Sequence, residues 1–586
     1  MNPEPESPPE PKTHDPYEGG PLGAGIDWSD PNSPLARFYM SAGGVVCVTL
    51  LGLLFLLFSS VPLAHTDFWS HLKYGEWIAA ERRLPDIEPL NPFTDKQKPM
   101  FDAMWLTQLG YHEVFRLGEW VAHGDDRRRF EGGVEAVRAV HALAAIAVLA
   151  LAGLAYRRSA DSVPWAIGGI LIVVALLLQL LAVQRPQVFA LDCFAALLCL
   201  LSRGAPSRRG LVLIPLVMLL WANLHGSFVV GFALLGLMLL GRAFEVSRAV
   251  DWSFAAVLRD PGVRRLGLAL ALALLAACLN PYGPELYLNV VRFSDSPNLR
   301  TMAEWQPLDF SQPRGGHWGY LAAAILLLAT QIASPRPFSP TQMMLILTFG
   351  VWPLLQQRAM AWWVLLLPWI IAPHWSAVWE GWGLSLPDAL PSFRKTALAV
   401  LIVMAIVFIS PPSHWARSGR ARPTAQALNH ATPNDIAAAL AGQPPADPDR
   451  VADVIRVVRD DYQGRFRGRI FSSERLGEYL LWALPPDAPV MMYNHAQLFS
   501  TSYWSECLRT KEAALGWWEV LDRREVEAVV LEASLCPELC AELRSNRNWR
   551  VALDESASDR PALVRDPAAR LFVAFRKHPD APGSAK

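Results

Sequence analysis

Residues 45–77 read VVCVTLLGLLFLLFSSVPLAHTDFWSHLKYGEW, an apolar run that gives way abruptly to histidine, aspartate and tryptophan. Crossing a hydrocarbon core of ~30 Å takes about 20 mostly apolar helical residues, so the run, 38–63 in full, reads as a membrane span. The polar cluster then sits where the chain leaves the bilayer. The run has neither a basic n-region nor a short h-region with a small-residue cleavage site, so it reads as a retained anchor and not a signal peptide. The same length rule predicts further spans near 136–156, 163–183, 186–202, 211–224, 227–245, 265–281, 317–333, 340–356, 358–374 and 396–412, eleven in all. The expected fold class is an α-helical polytopic membrane protein with about eleven transmembrane helices and a soluble C-terminal α/β domain.

Composition agrees with this division. The 586 residues are 52% hydrophobic and 18% charged, with a net charge of −1 and no basic patch to suggest nucleic acid. Residues 1–37 read as a disordered cytoplasmic leader: the first 34 hold nine prolines and seven acidic residues against one lysine, too little apolar surface to fold. Residues 38–412 form the membrane region, with a long first outer loop at 64–135. Lys and Arg in the short loops set the orientation. With the N-terminus inside, inner loops carry thirteen and short outer connections five: Arg185, Arg292, Arg300, Arg314 and Arg358. An odd number of spans then puts the tail outside the cytoplasm.

In the tail, 413–467 reads as a Pro- and Ala-rich linker and 468–586 as an extracytoplasmic α/β domain. Strands are expected at Arg469 to Ser472, Pro489 to Tyr493, Ala528 to Leu531, Trp549 to Leu553 and Leu571 to Phe575. Helices are expected at Glu474 to Leu484, Tyr503 to Asp522 and Pro537 to Ser545. Cys536 and Cys540 lack the partners of a zinc site. A disulfide among Cys507, Cys536 and Cys540 stays open if the tail is outside.

Under this topology the polar residues near apolar segments collect at one membrane face. Asp67, Trp69 and His71 follow span one; Gln184, Arg185 and Gln187 join spans three and four; Asn223 and His225 join five and six. Asn280 and Tyr282 end span seven, Glu304 and Trp305 lie in the next outer loop, and Gln356, Gln357 and Arg358 join nine and ten. Charges near a bilayer are costly unless they face a wet cavity, so they point to function. Asp67 and His71, four apart, share one face of a helix. Two readings stand: an acid/base pair, or an interfacial helix capped by Asp67 and anchored by Trp69 and Trp77.

Several blocks carry a resemblance. Asp67-Phe-Trp-Ser-His-Leu with Gly75, then Pro85, Glu88 and Thr94, then Trp105-Leu-Thr-Gln108 resemble the first outer loop of a bacterial family of GT-C-type membrane glycosyltransferases, related to protein O-mannosyltransferases and oligosaccharyltransferase catalytic subunits. Arg185-Pro186-Gln187, Trp221-Ala-Asn-Leu-His225-Gly226, Asn280-Pro-Tyr-Gly283, Glu304-Trp305 and Arg358 look similar too, as do Gly468-Arg-Ile-Phe and Gly477-Glu-Tyr-Leu-Leu-Trp482 in the tail. Two positions depart from the family's pattern: Ser70 stands where relatives often carry an aromatic, and Asn494-His495-Ala496 where they carry Asp-Gly-Arg.

The resemblance implies a GT-C-like fold in the bacterial cytoplasmic (inner) membrane. It implies transfer of a sugar from a polyprenyl-phosphate-linked donor to a glycan, lipid or protein acceptor at the outer face. Asp67 is the base by position, with His71, Glu88 and Glu304 as further catalytic candidates. Arg185 and Arg358 suit the leaving phosphate. Trp69, Trp105, Gln108, Asn223, His225, Asn280, Tyr282 and Trp305 complete the substrate-binding candidates. No cofactor is implied with certainty and a divalent metal stays open. Two rival classes remain at this stage: a transporter, with Asp192 inside span four as its main support, and a non-catalytic scaffold or sensor with a partner-binding outer domain.

Overall fold

The computed structural model describes residues 36–64, 67–311, 317–384, 390–556 and 570–577. Most of the proline-rich leader, His65 and Thr66 of the opening motif, and Arg314 lie outside the described residues.

The first half of the chain builds eight helices that position the site: α1 (Ala42–Ser60), α2 (Phe68–Glu81), α3 (Trp105–Ala122), α4 (Asp126–Ala160), α5 (Val163–Ala182), α6 (Gln187–Leu201), α7 (Gly210–Leu224) and α8 (Val229–Ala249). The later apolar runs form helices at Pro261–Ala277, His317–Ala333, Met360–Gly381 and Phe393–Ile409. Pro340–Leu355 is also helical, with one π-helical turn at Ile346–Gly350. Each of the predicted runs thus lies on a helix, as it must if backbone polar groups are to be satisfied in lipid.

Span count is a separate matter. Among the described residues five helices are long and apolar enough to cross a membrane, or six if Phe393–Ile409 and Pro411–Ser418, bent by 66°, are one span. Gln187–Leu201, Gly210–Leu224, His317–Ala333 and Pro340–Leu355 are apolar but shorter. The chain is therefore a multi-pass membrane protein whose helices vary in reach. The bundle core brings together Phe194 of α6, Trp221 of α7 and Trp362, with Phe194 and Trp362 ring centroids 5.3 Å apart.

The tail carries a four-stranded sheet, β1 (Arg469–Ser472), β2 (Val526–Glu532), β3 (Trp549–Asp554) and β4 (Leu571–Arg576), in the order β1-β2-β4-β3. Only β1 and β2 are parallel. The strand expected at Pro489 to Tyr493 is a single parallel bridge, Ile470 to Val490. The reason is competition: the Val490 carbonyl accepts from Asn91 Nδ2 and the Met491 carbonyl from the Tyr503 hydroxyl. Above this segment the helix Glu474–Ala483 sits so close that a Cβ at Gly477 would collide with the Met492 carbonyl. The single helix expected over Tyr503 to Asp522 is two, Thr501–Lys511 and Trp517–Arg523, broken where Ala513 and Gly516 take positive φ.

The expected linker is folded. Asn434–Leu440 and Ala452–Asp461 are helices, and Ile436, Leu440, Val454, Val457 and Phe466 are buried in one core with β-sheet residues Val530 and Val573. Short helices interrupted by proline hide an amphipathic pattern inside a linker-like composition. That same core includes Leu63, Phe68, Trp69 and Leu72, so the first loop and the tail fold as one body. Trp69 makes ring contacts with Tyr479 and Trp482 at 4.8 and 4.7 Å. Cys507, Cys536 and Cys540 are all free and buried in this structure.

Candidate functional site

Asp67 lies between α1 and α2, and its carboxylate makes no capping hydrogen bond to α2. Instead Asp67 Oδ1 is 3.4 Å from Arg185 Nε, an ion pair in which neither atom completes a hydrogen bond. Arg185, between α5 and α6, donates from Nη1 to Glu304 Oε2 at 3.2 Å. Glu304 is the middle residue of the 3₁₀ turn Ala303–Trp305, and the Arg358 guanidinium lies 5.3 Å from the centre of the Trp305 ring. Four loops that are far apart in sequence thus converge. The side chains of Asp67, Arg185 and Glu304 keep 26%, 34% and 36% of their exposure, so a ligand can reach them.

The two carboxylates differ electrostatically. Burial pushes the Asp67 carboxyl above its ordinary value, with the Arg185 charge opposing it. Burial also acts on Glu304, but the Arg358 and Arg185 charges outweigh it and hold that carboxyl below its usual range. The arginines thus favour the ionised form of Glu304, whereas burial works against the ionised form of Asp67.

The α2–α3 hairpin supplies the next layer. The helices approach so closely that a Cβ at Gly75 would collide with the Gln108 carbonyl. This brings the Gln108 amide to His71: Nε2 donates to His71 Nδ1 at 3.1 Å and to Asp102 Oδ1 at 3.2 Å. Burial and the Arg185 charge press the His71 imidazole down to about 3, so it is neutral and accepts at Nδ1. Asp102 also accepts from the Met104 backbone N–H at 3.0 Å, and its own N–H donates to the Tyr282 hydroxyl at 2.9 Å. Burial raises its carboxyl to about 7.

Beside this cluster opens a cavity of about 1220 Å³ whose walls include Asp102, Gln108, His225, Trp305, Arg358 and His495. Much of the remaining wall is apolar, with Val230, Leu286, Phe293, Trp352 and Trp362. Asp67, Arg185 and Glu304 stand next to the wall, linked through Trp305 and the electrostatic reach of Arg358 and His495. Among the described residues no group of three or more His, Cys, Asp or Glu side chains converges as metal ligands, and the Asp67 oxygen is engaged by Arg185.

Three solved structures resemble this architecture. The chain is similar to the archaeal oligosaccharyltransferase AglB from Archaeoglobus fulgidus, in complex with an inhibitory peptide and a dolichol-phosphate (TM-score 0.47, 12% identity, 86% of this chain and 70% of that one). It is similar to the Archaeoglobus fulgidus oligosaccharyltransferase tethered by a disulfide to an acceptor peptide containing the NVT sequon (0.46, 13%, 84% and 69%). The third is ArnT from Cupriavidus metallidurans in the apo state (0.45, 16%, 90% and 97%). No protein-family model matches the chain, and no curated protein does.

The remaining sequence candidates divide. Trp105 donates from its indole to Asn223 Oδ1 at 3.1 Å, tying α3 to α7. Asn280 shapes its own turn, donating to the Ala277 and Gly283 carbonyls and accepting from the Tyr282 N–H. His225 accepts from the Ser227 N–H while lining the cavity. Trp69 is fully buried between the hairpin and the tail, away from the cavity. Glu88 is the clearest case of a candidate placed elsewhere. It is buried, and its oxygens accept from Tyr74 Oη, the Leu90 and Asn91 N–H groups, Thr94 Oγ1 and Lys96 Nζ.

Sequence reasoning missed Asp102, His495 and Glu478. Asp102 stands three residues ahead of the Trp105 block, and His495 lies in the Asn494-His495-Ala496 segment of the tail. Glu478 lies inside the Gly477 to Trp482 block. It is fully buried and accepts from the Asn494 N–H at 2.7 Å. Burial, with the Asp67 charge adding to it, raises its carboxyl to about 8.

Proposed function

We propose that this protein is a membrane glycosyltransferase that moves a sugar from a polyprenyl-phosphate donor to an envelope acceptor at the extracytoplasmic face of a bacterial inner membrane. The observation that carries the reading is the uncapped Asp67 carboxylate, held by Arg185 beside a large, mostly apolar cavity whose wall carries Arg358. In the reaction the acceptor's O–H or N–H proton passes to an Asp67 oxygen as the acceptor atom attacks the anomeric carbon. The bond from that carbon to the phosphate oxygen breaks, and its electron pair leaves on the polyprenyl phosphate. Arg358 and Arg185 offset the charge that grows there. Glu304 holds Arg185 in place, and the apolar wall suits the prenyl chain. On this reading the N-terminus is cytoplasmic and the tail domain outside.

The test is transfer from a panel of polyprenyl-phosphate sugars, in nanodiscs, to envelope acceptors extracted from a strain lacking this protein. Asp67→Asn keeps the side chain's shape and is expected to lower turnover by about 10² to 10⁴, the range for loss of a general base. A variant that transfers at the wild-type rate would remove Asp67 from the reaction.

A further inference from the structure

Three side chains on the cavity wall are buried and leave a polar atom without a hydrogen-bond partner: Asp102 Oδ2, Gln108 Oε1 and His495 Nδ1. Their residues are 4%, 1% and 8% exposed. Leaving a buried polar atom unmatched is costly, and a native structure rarely tolerates several unless something else satisfies them. The arrangement is not a matter of loose side chains. Gln108 spends both amide protons on His71 Nδ1 and Asp102 Oδ1, which orients its carbonyl oxygen as the free atom. Asp102 Oδ1 is taken by Met104 and Gln108. The His495 ring is fixed edge-on to His71 at 5.1 Å and to Tyr493 at 5.3 Å.

The chemistry of the trio is specific. It offers acceptor oxygens and a neutral imidazole, since burial presses the His495 ring down to about 3. It holds no cation, so it does not suit phosphate. Its natural complement is an uncharged ring bearing several hydroxyl groups. Phosphate is served by other wall residues, Arg358 among them. A sugar is bonded directly to the donor phosphate, so its hydroxyls must meet the same cavity wall within a ring's width.

We infer that Asp102, Gln108 and His495 form the subsite that binds the hydroxyl groups of the donor sugar, with the C-terminal domain supplying one of the three contacts. This inference rests on the lipid-phosphate donor reading. It places sugar selection partly in the tail, in the Asn494-His495-Ala496 segment.

The test measures binding of bare undecaprenyl phosphate, and of undecaprenyl phosphate carrying a hexose, an N-acetylhexosamine or a pentose, to the full chain in nanodiscs by native mass spectrometry. Asp102→Asn keeps Oδ1 for Met104 and Gln108 but turns Oδ2 into a donor; His495→Phe keeps the ring packing and removes Nδ1. Wild type is expected to bind at least one sugar-bearing lipid more tightly than the bare lipid. Each variant should reduce that preference about three- to tenfold, the value of one net hydrogen bond, and the double variant more than tenfold, with bare-lipid binding unchanged within twofold. Bare-lipid binding also reports that each variant is folded, and either single variant suffices. A wild-type preference retained in both variants, or no sugar preference in the wild type, would overturn the subsite alone. No binding of bare undecaprenyl phosphate by any form would instead overturn the donor reading beneath it.

Discussion

Glu88 and Asp67 are both carboxylates of the first outer loop, both were drawn from the sequence as catalytic candidates, and the fold treats them in opposite ways. Around Glu88, two hydroxyls, two backbone N–H groups and the Lys96 ammonium converge until the carboxylate's acceptor capacity is filled. Around Asp67 the same capacity is left open among the described residues: Arg185 approaches, no cap to the helix forms, and exposure remains. A filled carboxylate organises a loop, while an unfilled one next to a cavity can exchange a proton. The difference lies in the neighbours, since both residues sit in polar, aromatic-rich sequence.

The largest expected effect separates the two kinetically. Asp67→Asn lowers transfer by about 10² to 10⁴ with little change in melting temperature. Glu88→Gln leaves turnover per folded molecule near wild type. Equal turnover losses at both positions would dissolve the contrast.

Next comes the joint that carries both residues. Trp69→Ala removes the indole packed on Tyr479 and Trp482, and is expected to cost about 3–5 kcal/mol, the range for deleting a buried large aromatic. Limited proteolysis should then release the tail, whereas tail resistance equal to wild type would show that the loop and tail do not depend on this contact.

Glu88→Gln should cost about 2–3 kcal/mol through buried donors left unmatched, read as a shift in denaturant or thermal midpoint in detergent. A midpoint unchanged from wild type would mean that the filled nest contributes no stability.

The smallest effect concerns Glu478. Its carboxyl stands at about 8 in the folded protein against an ordinary value of 4.5, so the native state binds a proton that the unfolded chain has already lost. Its contribution is therefore fully present below about pH 4.5 and is lost as pH rises toward 8. Glu478→Gln should flatten the decline in melting temperature between pH 5 and 9. An unaltered slope would assign the alkaline loss to other groups.

Much of the architecture was legible before any coordinates. Apolar runs of membrane length mark their helices because lipid leaves the backbone no other partner, and every such run lies on a helix. The tail's helix and strand alternation was visible in its pattern, apart from the segment at Pro489 to Tyr493. Asp67, Arg185, Glu304 and Arg358 were legible as site candidates because charged residues at the ends of apolar runs are costly without a function. Two kinds of fact lay beyond sequence. Whether a polar atom is satisfied depends on groups hundreds of residues away, so Glu88 could not be told from Asp67, and Asp102 and Glu478 drew no notice. Which segments share a core depends likewise on packing across the whole chain. The apparent linker proved folded, and the tail's His495 reached a cavity built by the membrane region. Periodicity and length act locally and can be read along a chain, whereas hydrogen-bond satisfaction and enclosure exist only once distant segments have met.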